Sequence, residues 1–164
     1  MSQAKVLTER ELQRVLDYVS RSKHARRNRT ILLLQHWAGM RVGECAAVRY
    51  ADVLNSDGTI KAEIKLSRHQ TKGDQSRTVV LSERIRAELS AYVAAHPCKD
   101  AKKPLFATQR AEGFTANTLT HIVGGIYRHA GVDGASSHSG RRGFLTRLSE
   151  KGVSVRVMMQ LAGH

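Results

Sequence analysis

His138-Ser139-Gly140-Arg141 sets an imidazole and a guanidinium three residues apart at the expected start of a helix. At that spacing the two side chains share a face and can address one anion. A helix N-terminus adds free backbone N–H groups and a positive partial charge, which draw phosphate to the same place. Three further basic groups, Arg41, Lys72 and His164, lie elsewhere in the chain, and a fold that gathered all five would make them the basic half of a phosphodiester site. Each member also has a plainer use when taken singly. Arg41 can pair with Glu44 one turn on and tie two helices together. Lys72 can be a solvated loop lysine, His138 and Arg141 surface residues at a helix end, and His164 a terminal residue after a helix-ending glycine.

The elements that must carry these groups are mostly helical. Thr8 to Glu11 reads as a capping box with a hydrophobic staple between Leu7 and Leu12, and Leu12, Val15, Leu16 and Val19 form one apolar stripe behind it. Ile31-Leu32-Leu33-Leu34 and Trp37 are apolar on every side, which predicts a central buried helix. Gly39 to Glu44 interrupts it, placing Arg41 at a junction before a short small-residue helix at 45–48. From Asp57-Gly58 the period changes to two: Ile60, Ala62, Ile64 and Leu66 alternate with polar residues as in a half-buried strand. A second strand at 77–81 follows the polar loop 67–76, giving a small antiparallel sheet with Lys72-Gly73-Asp74 near its tip.

Ser82 is placed to cap the next helix, with Ile85, Leu89, Tyr92 and Val93 on one face and His96-Pro97 at its end. A basic connector, 99–104, leads to a helix at 115–130 that turns Leu119, Ile122, Val123, Ile126 and Tyr127 inward and stops at Gly131. The helix at 139–151 is expected to bury Phe144, Leu145 and Leu148. A last short helix opens at Ser154, with Val155, Met158, Met159 and Leu161 as its apolar positions and Gly163 as its close.

Composition narrows the partner. The 164 residues suit one domain with a real core, and 27 Lys and Arg against 14 Asp and Glu give a net charge of +13. Such an excess favours a polyanion, and the chain has no long apolar run or lipidation motif to make that polyanion a membrane surface. Cys45 and Cys98 match no disulfide framework or zinc spacing, and the N-terminus carries no apolar signal region. A reducing, cytoplasmic setting follows as the expectation.

The order of the motifs is more specific than any one of them. Gly-Met-Arg41-Val-Gly-Glu44, then Thr-Lys72-Gly before a strand, then His138-x-x-Arg141, then Leu-Ala-Gly-His164 resembles the tyrosine recombinases, or phage integrases, over nearly the whole chain. The resemblance implies a mainly α (α+β) fold, the helical tyrosine-recombinase catalytic domain with a small antiparallel β-sheet. It makes Arg41 and Arg141 the clamp on the scissile phosphate, His138 and His164 the histidine positions, Lys72 the hairpin lysine, and Glu44 the acidic support behind Arg41. It implies site-specific breakage and rejoining of double-stranded DNA through a 3′-phosphotyrosine, with no metal and no cofactor. The residue types fit: guanidinium forks stabilise charge on non-bridging oxygens, a lysine can act as general acid, and a histidine can move a proton near neutral pH.

Three departures from the family pattern set further expectations. No tyrosine follows His164, so the chain is expected to bind DNA without cleaving it, as a catalytic domain truncated after the last histidine motif. The family's N-terminal core-binding domain is expected to be lacking, and a monomer in isolation is expected, with oligomers on DNA for a longer protein. Gly140 stands where the family more often has an apolar side chain, which predicts a looser start to the helix of Arg141. A type IB topoisomerase-like enzyme and a non-catalytic DNA-binding regulator are the competing expectations.

Overall fold

A computed structural model describes residues 3–108, 110 and 113–162. Its helices are α1 (Glu9–Ser20), α2 (Ala25–Ala38), α3 (Val42–Ala47), α4 (Tyr50–Val53), α5 (Glu83–Ala95), α6 (Ala116–His129), α7 (Ser139–Glu150) and α8 (Val155–Ala162). Strands β1 (Glu63–Leu66) and β2 (Arg77–Val80) lie between α4 and α5. The mainly helical expectation with one small sheet holds.

The first helix starts where its chemistry dictates. Thr8 Oγ1 accepts from the Glu11 amide at 3.1 Å, and Glu11 Oε1 accepts from the Thr8 amide at 3.0 Å. That reciprocal box satisfies two donors that a helix start otherwise leaves to water, a gain of about 1 kcal/mol. Val15, Leu16 and Val19 then bury one stripe against α2 and α6. At the centre, α2 places Ile31, Leu32, Leu33 and Leu34 at 0–1% exposure, and α1, α3, α5 and α7 pack around it. An all-round apolar helix cannot sit at a surface without exposing one of these leucines, so it becomes the axis of the domain.

The sheet is a single antiparallel pair, with Glu63 opposite Val80 and Leu66 opposite Arg77. The strand at 60–66 is shorter than its alternation suggests. Ile60 pairs instead with Leu54 in an isolated bridge, Ala62 is exposed, and only Ile64 and Leu66 turn fully inward. The one-turn α4 has no counterpart in the sequence reading, because four residues are too few to show a helical period. A local cap announces it: the Arg49 amide donates to Asp52 Oδ2 at 2.8 Å. Ser82 is the N-cap of α5 as expected, though its side chain makes no capping bond.

The last two helices differ from expectation. Phe144, Leu145 and Leu148 are half-buried, and the buried positions of α7 are Ser139, Gly140 and Gly143. The helix meets the body of α2 through Gly140, backbone against side chain, and Phe144 packs at the end of α2, on Gly39. A methyl group built on Gly140 would lie 2.6 Å from Gln35 Cβ. The predicted loose helix start is therefore corrected: Gly140 makes the junction tight. On α8, Met158 and Leu161 are half-buried while Val155 is 72% exposed and Met159 49% exposed; the helix packs on α7 and β2. No helix among the described residues is long and apolar enough to cross a membrane.

Candidate phosphate-binding site

The end of α2 organises the site. Gly39 caps that helix in the left-handed region, at φ 73°, and Phe144 of α7 lies against its α-carbon, where a built methyl group would come within 2.3 Å of the ring. Glycine is required here on both counts. Its carbonyl oxygen accepts from two guanidiniums on different elements, Arg141 Nη1 of α7 at 2.9 Å and Arg77 Nη2 of β2 at 3.2 Å.

Two residues further on, Arg41 is the N-cap of α3. Its amide donates to Glu44 Oε1 at 2.9 Å, and its Nη1 lies 3.4 Å from Glu44 Oε2. Glu44 is 1% exposed, so the carboxylate acts from within the core and does not face solvent. A buried carboxylate is tolerated when it is paired, and here Arg77 Nε stands 3.5 Å from Oε2 on the other side. That last contact is an ion pair without hydrogen-bond alignment, since Arg77 Nε has no acceptor in bonding geometry.

Three guanidiniums thus share one carboxylate and one carbonyl. The crowding shows in Arg141, whose pKa falls from 12.5 to about 10. Burial is the main cause, repulsion from Arg41 and then Arg77 adds to it, and Glu44 opposes it. Arg77 is also lowered, again chiefly by burial. Arginine stays charged at neutral pH, so among the described residues the cluster sets three guanidiniums against the one carboxylate of Glu44.

The remaining candidate residues stand further out. His138 is the N-cap of α7 and exposed; it lines a groove between α7 and α8 with Arg141, Arg142, Leu145 and Met158. Lys72 is exposed in the turn of the hairpin, beside Gly73 at φ 86° and Asp74 at φ 57°. The root of that hairpin is fixed, because Gln70 Nε2 donates to Ala47 O of α3 at 3.0 Å and to Asp52 Oδ2 of α4 at 2.7 Å. His164 lies outside the described residues. The structure therefore brings Arg41, Glu44 and Arg141 together, puts His138 beside Arg141, and leaves Lys72 on an arm rooted near α3.

Arg77 and Gln70 escaped the sequence reading, and Gly39 was read only as the break after the central helix and the start of the Arg41 motif. A signal existed for Arg77: in the alternation of the second strand it falls in phase with Val79 and Leu81, both buried, and an arginine in that phase is a buried cation in want of an acid.

The tyrosines are engaged elsewhere. Tyr92 and Tyr127 are core residues, as their helix faces suggested, with Tyr92 Oη donating to Leu105 O at 2.7 Å and Tyr127 Oη 2.8 Å from His36 Nε2. Burial pushes both phenols upward. Tyr50 is also buried and donates to His96 O at 2.6 Å, while Tyr18 stacks on His129.

Comparison with known families decides the lineage. The sequence profile of the phage integrase family matches residues 5–164. The chain belongs to that family. Among curated relatives of this integrase-family chain, the tyrosine recombinase XerA of Pyrococcus furiosus (strain ATCC 43587 / DSM 3638 / JCM 8422 / Vc1) is 27% identical over 163 residues, covering 98% of this chain and 53% of the relative. The tyrosine recombinase XerC of Bacillus subtilis (strain 168) is 29% identical, with 98% of this chain and 53% of the relative aligned. A crystal structure of XerA recombinase superposes with a TM-score of 0.78 at 23% identity, covering all of this chain and 57% of the other, which shows the shared fold. The chain spans about half the length of the curated relatives it matches.

Proposed function

We propose that this chain is the phosphate-holding catalytic domain of a site-specific DNA recombinase, acting on double-stranded DNA in the cytoplasm. The observation that carries the reading is the joint anchoring of Arg141 and Arg77 on the Gly39 carbonyl beside Arg41, in a cluster of three guanidiniums and one carboxylate. A non-bridging phosphate oxygen entering between Arg41 and Arg141 would relieve the repulsion that adds to burial in lowering the Arg141 pKa. The clamp is built before the anion arrives, so little reorganisation is needed when charge develops on the phosphate. His138 at the start of α7 stands beside that oxygen, and Lys72 on its arm is placed to deliver a proton to a leaving oxygen.

In the whole protein, by family resemblance, the reaction is exchange of DNA strands through a 3′-phosphotyrosine. Within residues 1–164 no tyrosine suits that role, because the hydroxyls of Tyr50, Tyr92 and Tyr127 are buried and already bonded, and Tyr18 lies on α1, stacked on His129. This chain therefore binds duplex DNA without becoming joined to it.

The test is a duplex titration at several salt concentrations together with a nicked suicide substrate. Affinity should fall steeply as salt rises, and denaturing gels should show no covalent adduct. Negligible affinity at low salt would refute DNA binding, and an adduct would refute the assignment of the tyrosines. Inorganic phosphate at millimolar concentration should also raise the melting temperature, through linkage to the folded state. Arg141→Ala should abolish that rise.

A further inference from the structure

Arg77 is 6% exposed and cannot itself reach a DNA phosphate, yet it bonds to or faces three of the segments around the clamp. Its Nε faces Glu44 of α3, its Nη2 donates to Gly39 O at the end of α2, and its Nη1 donates to Leu161 O of α8 at 3.3 Å. The distances around Glu44 are informative. Oε2 lies 3.4 Å from Arg41 Nη1 and 3.5 Å from Arg77 Nε. Both exceed the ~2.7–2.9 Å of a strong charge-assisted bond, so the carboxylate is divided between the two cations and closes on neither.

We propose that Arg77 is a positioning residue that holds part of the Glu44 charge, and so keeps the Arg41 guanidinium from collapsing onto its own carboxylate. With Arg77 in place, Arg41, Glu44 and Arg77 sum to one positive charge for the phosphate to meet. Without the Arg77 charge, Glu44 and Arg41 form a neutral pair in a low-dielectric setting. Such a pair tightens and must be loosened before Arg41 can serve an anion. Repulsion from Arg77 also reaches Arg141, since both donate to the Gly39 carbonyl. This inference rests on the phosphate-binding role of Arg41 and Arg141.

A plain structural brace makes a different prediction, and Glu44 separates the two. If Arg77 only braces the fold, phosphate affinity tracks thermal stability through every variant. If it divides the Glu44 charge, Glu44→Gln lowers stability without weakening phosphate binding, because the amide keeps the acceptor for the Arg41 amide and gives up the charge that competes for its guanidinium.

The experiment uses the 164-residue chain with ¹⁵N-labelled arginine, following the side-chain Nε–H signals of Arg41 and Arg141, assigned from Arg41→Lys and Arg141→Lys, as dimethyl phosphate is added. In the wild type both signals shift to saturation. In Arg77→Met the dissociation constant read at Arg41 should rise by about tenfold, the equivalent of one charge-assisted contact. Arg77→Lys should stay within about threefold of wild type, since it keeps the charge. Arg77→Met combined with Glu44→Gln should return to wild-type affinity.

Equal affinity in Arg77→Met and wild type overturns the proposal. So does weak binding in the double variant, which removes both buried charges and is expected to fold even where Arg77→Met alone does not. A wild-type chain in which neither signal moves refutes the phosphate site itself and this inference with it.

Discussion

The arginine cluster and the hairpin that carries Lys72 are built on opposite plans. Arg141 and Arg77 are tied to a backbone carbonyl in the core, and Arg41 to a carboxylate 1% exposed. Lys72 is exposed in a turn shaped by two residues at positive φ, and the hydrogen bonds of Gln70 secure only the root of its arm. Charges that hold a transition state are most effective when fixed in advance. A proton donor has to approach, deliver and withdraw, and an arm rooted at one end permits that. The contrast predicts that substitutions in the first region disturb structure and chemistry together, while those in the second disturb chemistry alone.

The largest effect should come from the clamp. In the full-length protein, Arg141→Ala is expected to slow strand cleavage on the order of a thousandfold, the scale of a lost electrostatic donor, as read by covalent complex formed per minute on a suicide duplex. If cleavage fell only a few-fold, the cluster would be bracing rather than binding. Next comes Gly39→Ala, which forces a side chain into the left-handed region and into Phe144. It should cost about 2–3 kcal/mol by denaturant melts and weaken phosphate binding at the same time; loss of stability with intact binding would separate Gly39 from the site.

A pH effect ranks third and concerns the interface behind the clamp. His36 is buried beneath α7, with its pKa moved from 6.5 to about 3 by burial first and by Arg147 second. The unfolded chain takes up this proton near pH 6.5 and the folded chain holds it off until about pH 3. Its contribution to stability is therefore complete above pH 6.5 and declines as the pH falls toward 3. Urea melts across that window should show the decline, and His36→Gln should flatten it. The smallest structural effect belongs to Lys72→Ala, expected to change stability by less than about 0.5 kcal/mol as an exposed loop substitution. Cleavage by the whole protein should still drop, and a melting temperature that dropped with it would erase the distinction between the two regions.

Much of this arrangement was legible in the residues, and the parts that were not share a cause. The Thr8 box, the buried axis at 31–34 and the core tyrosines follow from local pattern, since each is written within one or two turns. The pairing of Arg41 with Glu44 was readable for the same reason. What escaped depends on contacts between distant segments. Gly140 looked like a weak helix start because a missing side chain shows nothing of the Gln35 surface that fills its place. Phe144, Leu145 and Leu148 were expected inside, and the glycine face of α7 took that position instead. Arg77 was passed over as one more cation in a basic chain, although its phase within the strand marked it as buried.

The acceptor shared by Arg77 and Arg141 is a main-chain oxygen, and that has a consequence for how the site can be switched off or evolve. No substitution can delete a carbonyl; only a change in the path of the chain can move it. The grip of two guanidiniums is therefore a readout of whether the last turn of α2 is wound. Any partner, strain or mutation that unwinds that turn releases both at once, from a distance and without touching a charged residue.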